Sequence, residues 1–251
     1  LIMEHLDGSS LDVIMQDVDL VFTEEGTVRL ALQMLTALDD LHKMGVVHRD
    51  VKPQNIVECA DSYKLIDVGA AAVVDVRAEE VGQSLATQGT VLNFAGTHGF
   101  MPPEAYRDPT QVGPHSDLFA LAATVFYLLS RQMPFQAENE FGWMFAVAGN
   151  MEEQAPRLVD VCPGVSPGLS DIIAKGLHKK ISERYTSAMD MKEDLEQLMQ
   201  SKYSAGFQQF PSNWKHMSSP WQDVELVELQ PSSADFKQVA DMFYQTCKKA
   251  E

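Results

Sequence analysis

The chain has 251 residues, with 36 acidic and 19 basic side chains and a formal charge of −17. That balance argues against nucleic acid or an anionic membrane as the main partner, and 45 % apolar residues suit an ordinary globular domain. Cys59, Cys162 and Cys247 are odd in number and far apart, without disulfide or zinc spacing, so a reducing compartment is expected, the cytoplasm or alternatively the nucleus. No signal-peptide pattern is visible, and the longest apolar run, Leu118 to Leu129, is too short to span a bilayer.

Leu1 to Met3 reads as the end of a buried strand, with Asp7-Gly8 as the turn after it. Thr23-Glu24-Glu25 starts a helix: a capping hydroxyl is followed by acids near the positive end of the helix dipole. Val28, Leu32, Leu35, Leu38 and Leu41 keep near-helical spacing, and Gly45 is a natural stop. Val46-Val47 then forms a short strand into His48-Arg49-Asp50-Val51-Lys52-Pro53-Gln54-Asn55. This is a loop stiffened by Pro53, with one acid, two bases and two amides. Ile56-Val57 and Lys64 to Ile66 are short strands around a turn-like stretch from Glu58 to Tyr63. The hairpin should bring Asp67 beside Asn55, an oxygen-rich pair suited to Mg²⁺.

From Asp67 to Glu104 there is little periodicity, and the segment ends in Gly96-Thr97-His98-Gly99-Phe100-Met101-Pro102-Pro103-Glu104. His115-Ser116-Asp117 opens a helix that is apolar on nearly every face, the mark of a buried helix. Asp117 can cap it. Met133-Pro134-Phe135 breaks the pattern. Residues 140–148 and 169–177 read as further helices, with Gly164 and Pro167 in the loop between them. Ile181 to Thr186 is a turn before a closing helix from Ser187 to Met199.

The stretch from His48 to Asn55 resembles the H-R-D-x-x-x-x-N catalytic loop of the eukaryotic protein kinases, with Asp67-Val68-Gly69 in place of D-F-G. Gly96 to Glu104 resembles G-T-x-G-Y-M-A-P-E, the end of the activation segment. The turn at Arg184 resembles D-P-x-x-R-[YP]-[ST]. The resemblance implies that Asp50 accepts the proton of a substrate hydroxyl and Lys52 steadies the transferring phosphoryl group. Asn55 and Asp67 would hold Mg²⁺, and Thr97 would bond Asp50 and Lys52, as in serine/threonine rather than tyrosine kinases. His48 would pack on the residue at Val68, where the family has Phe. Asp117 would bond back to the catalytic-loop backbone, and Glu104 would pair with Arg184. Leu1 to Leu11 resembles the hinge between the lobes. Met3 would be the gatekeeper, and the backbone at Glu4 and Leu6 would bond adenine. Ser10 would lie near the ribose, with Val57 against the ring. Ser84, Thr87 and Thr90 are candidate phosphorylation sites, with Arg49 as the cation a phosphate there requires.

The fold expected from this resemblance is mainly α with short β hairpins: a kinase hinge and C-terminal lobe over residues 1–200, with the N-terminal lobe absent. The expected activity is transfer of the ATP γ-phosphate to a serine or threonine hydroxyl of a protein substrate, in a longer parent, with ATP and Mg²⁺ bound. A pseudokinase or scaffold module is the rival class, and Val68 is the departure that favours it. The oligomeric state is left open by the sequence. Residues 201–210 read as a linker. In the tail, Trp214, Met217, Pro231 to Ser233, Phe236, Val239, Phe243 and Thr246 resemble the first strand and helix of the poly(ADP-ribose) polymerase catalytic domain. Residues 211–251 are therefore expected to be the truncated start of an ADP-ribosyltransferase-like domain, or else a docked amphipathic tail.

Overall fold

The computed structural model describes residues 5–60, 62–67, 72–73 and 98–203. Met3, Glu4, Val68, Ser84, Thr87, Thr90, Thr97 and the tail beyond residue 203 lie outside the described residues, as do the expectations placed on them.

The architecture is helical, with two small sheets at one end. Strand β1 (Gly8–Ser10) runs into the short helix α1 (Leu11–Ile14), and the long helix α2 (Glu24–Lys43) follows. The Thr23 hydroxyl accepts the Gly26 N–H at 3.1 Å and starts α2. Gly45 stops it, with a φ of 72° that a side chain would strain. The face carrying Leu30, Met34, Leu35 and Leu38 is fully buried. Helix α4 (Pro114–Ser130) crosses this face and is itself buried at almost every position from Ser116 to Phe126. Helices α7 (Pro167–Gly176) and α8 (Ala188–Tyr203) close the core from the other side, α8 against α2 and α7 against α4. Burying so much aliphatic surface, at about 25 cal/mol per Å², is the main force holding these helices together.

Strand β3 (Ile56–Cys59) pairs antiparallel with β4 (Ser62–Leu65) and, on its other edge, with β1, in the order β1-β3-β4. Strand β2 (Val46–Val47) pairs with β5 (Ala72–Val73). Among the described residues only β3–β4 is a hairpin, and the other two pairings are long-range. The expected turn from Glu58 to Tyr63 is shorter, because Glu58 and Tyr63 are cross-strand partners and the Tyr63 hydroxyl donates to the Glu58 carboxylate at 2.9 Å. Gly8 belongs to β1 rather than to a turn. A Cβ there would meet the Glu58 carbonyl oxygen at 2.1 Å, so close strand approach requires glycine.

Other boundaries also differ from expectation. Pro167 sits in the first turn of α7 rather than in the preceding loop, where its missing N–H leaves no bond unmade. The stretch 140–148 divides into α5 (Glu140–Met144) and a π-helical turn, Phe145–Gly149. Helix α8 continues to Tyr203, so Ser201 and Lys202 are helical rather than linker. Lys202 reaches back to the Glu24 carboxylate at 2.7 Å, which ties that last turn to the start of α2. Two more short helices, α3 (Pro103–Arg107) and α6 (Leu158–Val161), border the core.

Candidate active site

The loop from His48 to Asn55 leaves β2 and ends in a 3-10 turn over Pro53–Asn55. Asp117, at the start of α4 and fully buried, fixes the head of this loop. Its Oδ2 accepts the His48 N–H at 2.9 Å and its Oδ1 accepts the Arg49 N–H at 2.8 Å. The carboxylate faces the loop and does not cap its own helix. Capping falls to Ser116, whose hydroxyl accepts the Gly113 N–H at 3.1 Å. Arg49 has a φ of 68°, an uncommon conformation for a residue other than glycine, and the bond to Asp117 holds it there. Burial lowers the pKa of the Arg49 guanidinium, against the opposing charge of Asp117.

With the backbone fixed, the polar side chains converge. Lys52 Nζ lies 2.8 Å from Asp50 Oδ2, and the Asn55 amide donates to the same oxygen at 2.8 Å. The amide also donates to the Asp50 carbonyl at 2.8 Å. One carboxylate is thus oriented by a cation and an amide while its side chain stays 32 % exposed. Asn55 is buried, and its backbone carbonyl accepts the Ile66 N–H at 2.9 Å. The hairpin register thus sets Ile66 opposite Asn55, with Asp67 one residue further on. Asp67 is exposed and has a φ of 65°. The buried His48 ring lies with Nε2 3.2 Å from the Ile66 carbonyl.

Ser10 and Val57 are cross-strand partners in β1 and β3, and Val57 is buried. The Ser10 hydroxyl donates to Asp12 at 2.6 Å, and Leu6 is half-buried just before the strand. Oxygen donors from an amide and a carboxylate suit Mg²⁺, which keeps several waters or phosphate oxygens and needs few protein ligands. Among the described residues there is no cluster of three or more His, Cys, Asp or Glu that could hold a metal ion.

A second polar centre lies behind the site. Arg184 makes two parallel bonds of 2.8 Å to the Glu104 carboxylate, and the Ser116 hydroxyl donates to Glu104 at 2.7 Å. Arg184 also donates to the His178 and Lys179 carbonyls and stacks 4.8 Å above the Phe119 ring. Burial alone would push the Glu104 carboxyl up, but the paired Arg184 and the Ser116 hydroxyl outweigh it, so the group titrates below the usual carboxylate range.

Two contributors were not marked by the sequence pattern. His42 on α2 places Nε2 2.8 Å from Asp117 Oδ2, supporting the residue that anchors the loop. Ser116 joins the helix cap to Glu104. His42 lies four residues after Leu38, on the apolar stripe, so a polar side chain facing inward was its one available signal.

A family model, the protein kinase domain, matches residues 1–204. The chain belongs to this family. It is 33 % identical over 191 residues to the serine/threonine-protein kinase PknD of Mycobacterium tuberculosis, an alignment covering 75 % of this chain and 27 % of that protein. It is 32 % identical over 202 residues to the serine/threonine-protein kinase pkn3 of Myxococcus xanthus, covering 77 % of this chain and 35 % of the relative. The chain thus spans about a third or less of these curated relatives. Among solved structures, the Rad53 kinase domain with SCD2 in complex with AMPPNP is similar in fold, with a TM-score of 0.57 at 21 % identity over 76 % of this chain and 66 % of that one. The family match ends at residue 204 and lends no support to an ADP-ribosyltransferase-like start over residues 211–251.

Proposed function

We propose that this chain supplies the large lobe of a serine/threonine kinase, and that its parent protein transfers the γ-phosphate of ATP to a protein hydroxyl. The observation that carries this reading is the convergence of Lys52 and Asn55 on Asp50 Oδ2, both at 2.8 Å, in a carboxylate still open to solvent. An acid held in one orientation and reachable from outside suits a group that must meet a substrate hydroxyl. Asp50 takes the hydroxyl proton, and Lys52 sits where negative charge builds on the phosphoryl group. Asn55 and Asp67 would hold Mg²⁺, which would neutralise charge on the phosphate oxygens. Leu6, Ser10 and Val57 would frame one face of the nucleotide, and the roles that the resemblance gives Met3, Glu4 and Thr97 fall outside the described residues.

Residues 5–203 would supply only that lower face of the cleft, so transfer requires the longer parent. The test is phosphoryl transfer by the full-length protein with and without Asp50→Asn. An unchanged rate in the variant would remove Asp50 from the mechanism. A wild-type parent that binds ATP but transfers nothing would favour the pseudokinase reading that Val68 invites.

A further inference from the structure

Four of the large apolar side chains that the described residues expose cluster between Val13 and Val21: Val13 at 51 %, Val18 at 84 %, Leu20 at 36 % and Val21 at 79 %. They lie on α1 and the loop after it, anchored at one end by buried Met15 and at the other by Phe22, which packs on the core. The loop is built rather than slack. Arg131, just past α4 and with a φ of 58°, donates to the carbonyls of Met15 at 2.6 Å, Asp17 at 3.0 Å and Leu20 at 2.5 Å. The Asp17 carboxylate accepts the Asp19 N–H at 3.0 Å, and the Asp17 N–H donates to the Ile14 carbonyl at 3.2 Å. One guanidinium thus holds three carbonyls of the loop so that valines face water. Exposed valines on an ordered loop carry a standing free-energy penalty that a partner would relieve, and little ordering remains to be done on binding.

Charge decides what the partner is. Asp12, Asp17 and Asp19 interleave with the apolar side chains, and the cation bound to this loop, Arg131, spends its donors on carbonyls rather than on carboxylates. A second copy would bring the same three acids on a chain of charge −17 and would be repelled. An anionic membrane would be repelled for the same reason. We propose that the loop from Val13 to Val21 is a docking ledge for a short segment of a partner protein in which lysine or arginine alternates with branched aliphatic residues. The aliphatic side chains cover Val18 and Val21, and the cations meet Asp17 and Asp19. None of these residues belongs to the catalytic loop, so docking proceeds without phosphoryl transfer.

The probe is a fluorescently labelled synthetic peptide of alternating lysine and leucine, titrated with the full chain and followed by anisotropy at low and moderate salt. Saturable binding that weakens with salt is expected. Val18→Ser combined with Val21→Ser should weaken it about tenfold, since two exposed valines lose their cover. Asp17→Asn with Asp19→Asn should flatten the salt dependence, while the amide oxygen introduced at position 17 can still accept the N–H of residue 19. Equal binding of a lysine–serine peptide, or no loss in the serine variant, would reduce the effect to bulk charge and overturn the proposal. Absence of saturable binding would overturn it as well. Self-association of the chain in sedimentation, abolished by the serine variant, would make a second copy the occupant and overturn the choice of partner.

Discussion

Two acid–base pairs sit at opposite ends of the same stretch of structure, and they are built differently. Glu104 and Arg184 are almost wholly closed to solvent, at 4 % and 0 % side-chain exposure, with every bond of the fork made inside the protein. Asp50 and Lys52 keep 32 % and 14 % exposure and share a single carboxylate oxygen. The first arrangement suits permanence and the second suits an encounter with something from outside. Helix α4 joins them through adjacent residues: Ser116 donates to Glu104, while Asp117 accepts from the loop that carries Asp50. Position within one rigid helix is therefore what couples the closed pair to the open one.

The sharpest separation of the two pairs comes from breaking each alone. Asp50→Asn in the full-length parent should lower phosphoryl transfer by about 10²–10⁴-fold, the range for losing a positioned general base, and should leave the thermal midpoint near wild type. Arg184→Ala should act in reverse, on the fold itself. It strands the Glu104 carboxylate in a dry site, which costs about 3–5 kcal/mol. That is a large part of a domain's usual net stability of about 5–15 kcal/mol, so this variant should be mostly unfolded or aggregated. Replacing both partners with methionine should recover part of the loss, because no orphan charge remains. A shift in the Arg184→Ala midpoint no larger than that of a surface substitution would contradict the closed-pair reading.

Those two pairs differ in how far the sequence made them legible. Asp50, Lys52 and Asn55 lie within one short loop, so their proximity is local and a motif can carry it. Glu104 and Arg184 are 80 positions apart, and only the resemblance of two separate motifs pointed to the pairing the structure contains. What joins the pairs was legible in part. The resemblance pointed to the bonds from the loop backbone to Asp117 that the structure contains, while the cap that Asp117 could also have supplied falls to Ser116, because the two side chains leave the helix in different directions. His42 on Asp117 and Arg131 on the loop carbonyls are long-range pairings without local spacing to announce them. Helix boundaries failed where a tertiary bond overrode propensity. Lys202 extends α8 by reaching Glu24, across 178 positions of sequence.

Asp117 tests the coupling itself. Asp117→Asn keeps one acceptor but turns an amide N–H₂ toward one of the two loop N–H groups. Losing a bond to a charged acceptor in a buried site costs about 1.5–3 kcal/mol. Both readouts should fall together, with transfer reduced because the loop no longer holds Asp50 in place. A variant with normal activity and lowered stability would show that the loop holds its geometry without this anchor.

Acid should then distinguish the closed pair from the open one. The Glu104 carboxyl is held below the usual range, and so is that of Glu24, where burial is outweighed by Lys202 and Ser166. Both groups bind protons more weakly folded than unfolded. Their contribution to stability is therefore full above the ordinary value of 4.5 and is lost as pH falls from there through the depressed folded values. Denaturant midpoints measured from pH 6 downward should drop most steeply below that point. Glu104→Gln should flatten part of this slope even though its stability at neutral pH is lower. A slope unchanged in the variant would mean that other carboxylates govern acid unfolding.

The smallest expected effect lies at Thr23, one residue before the buried Glu24. Its hydroxyl accepts the Gly26 N–H at 3.1 Å, in a bond open to solvent. Water can replace that acceptor in Thr23→Ala, which is why the loss of an N-cap costs only about 1 kcal/mol. For a chain of this size the midpoint should fall by about 2–4 °C. Thr23→Asp should restore most of it, since a carboxylate at the positive end of α2 accepts the same N–H. Activity should be unchanged in both variants, because the helix stays fixed by its buried face on α4 and α8. The contrast with Arg184→Ala is one of solvent access: a lost partner is cheap where water can take its place and severe where it cannot. Should Thr23→Ala prove as damaging as Arg184→Ala, its real contribution would be to hold Glu24 against Ser166 and Lys202, and hydrogen exchange at the Ser166 amide would report that loss directly.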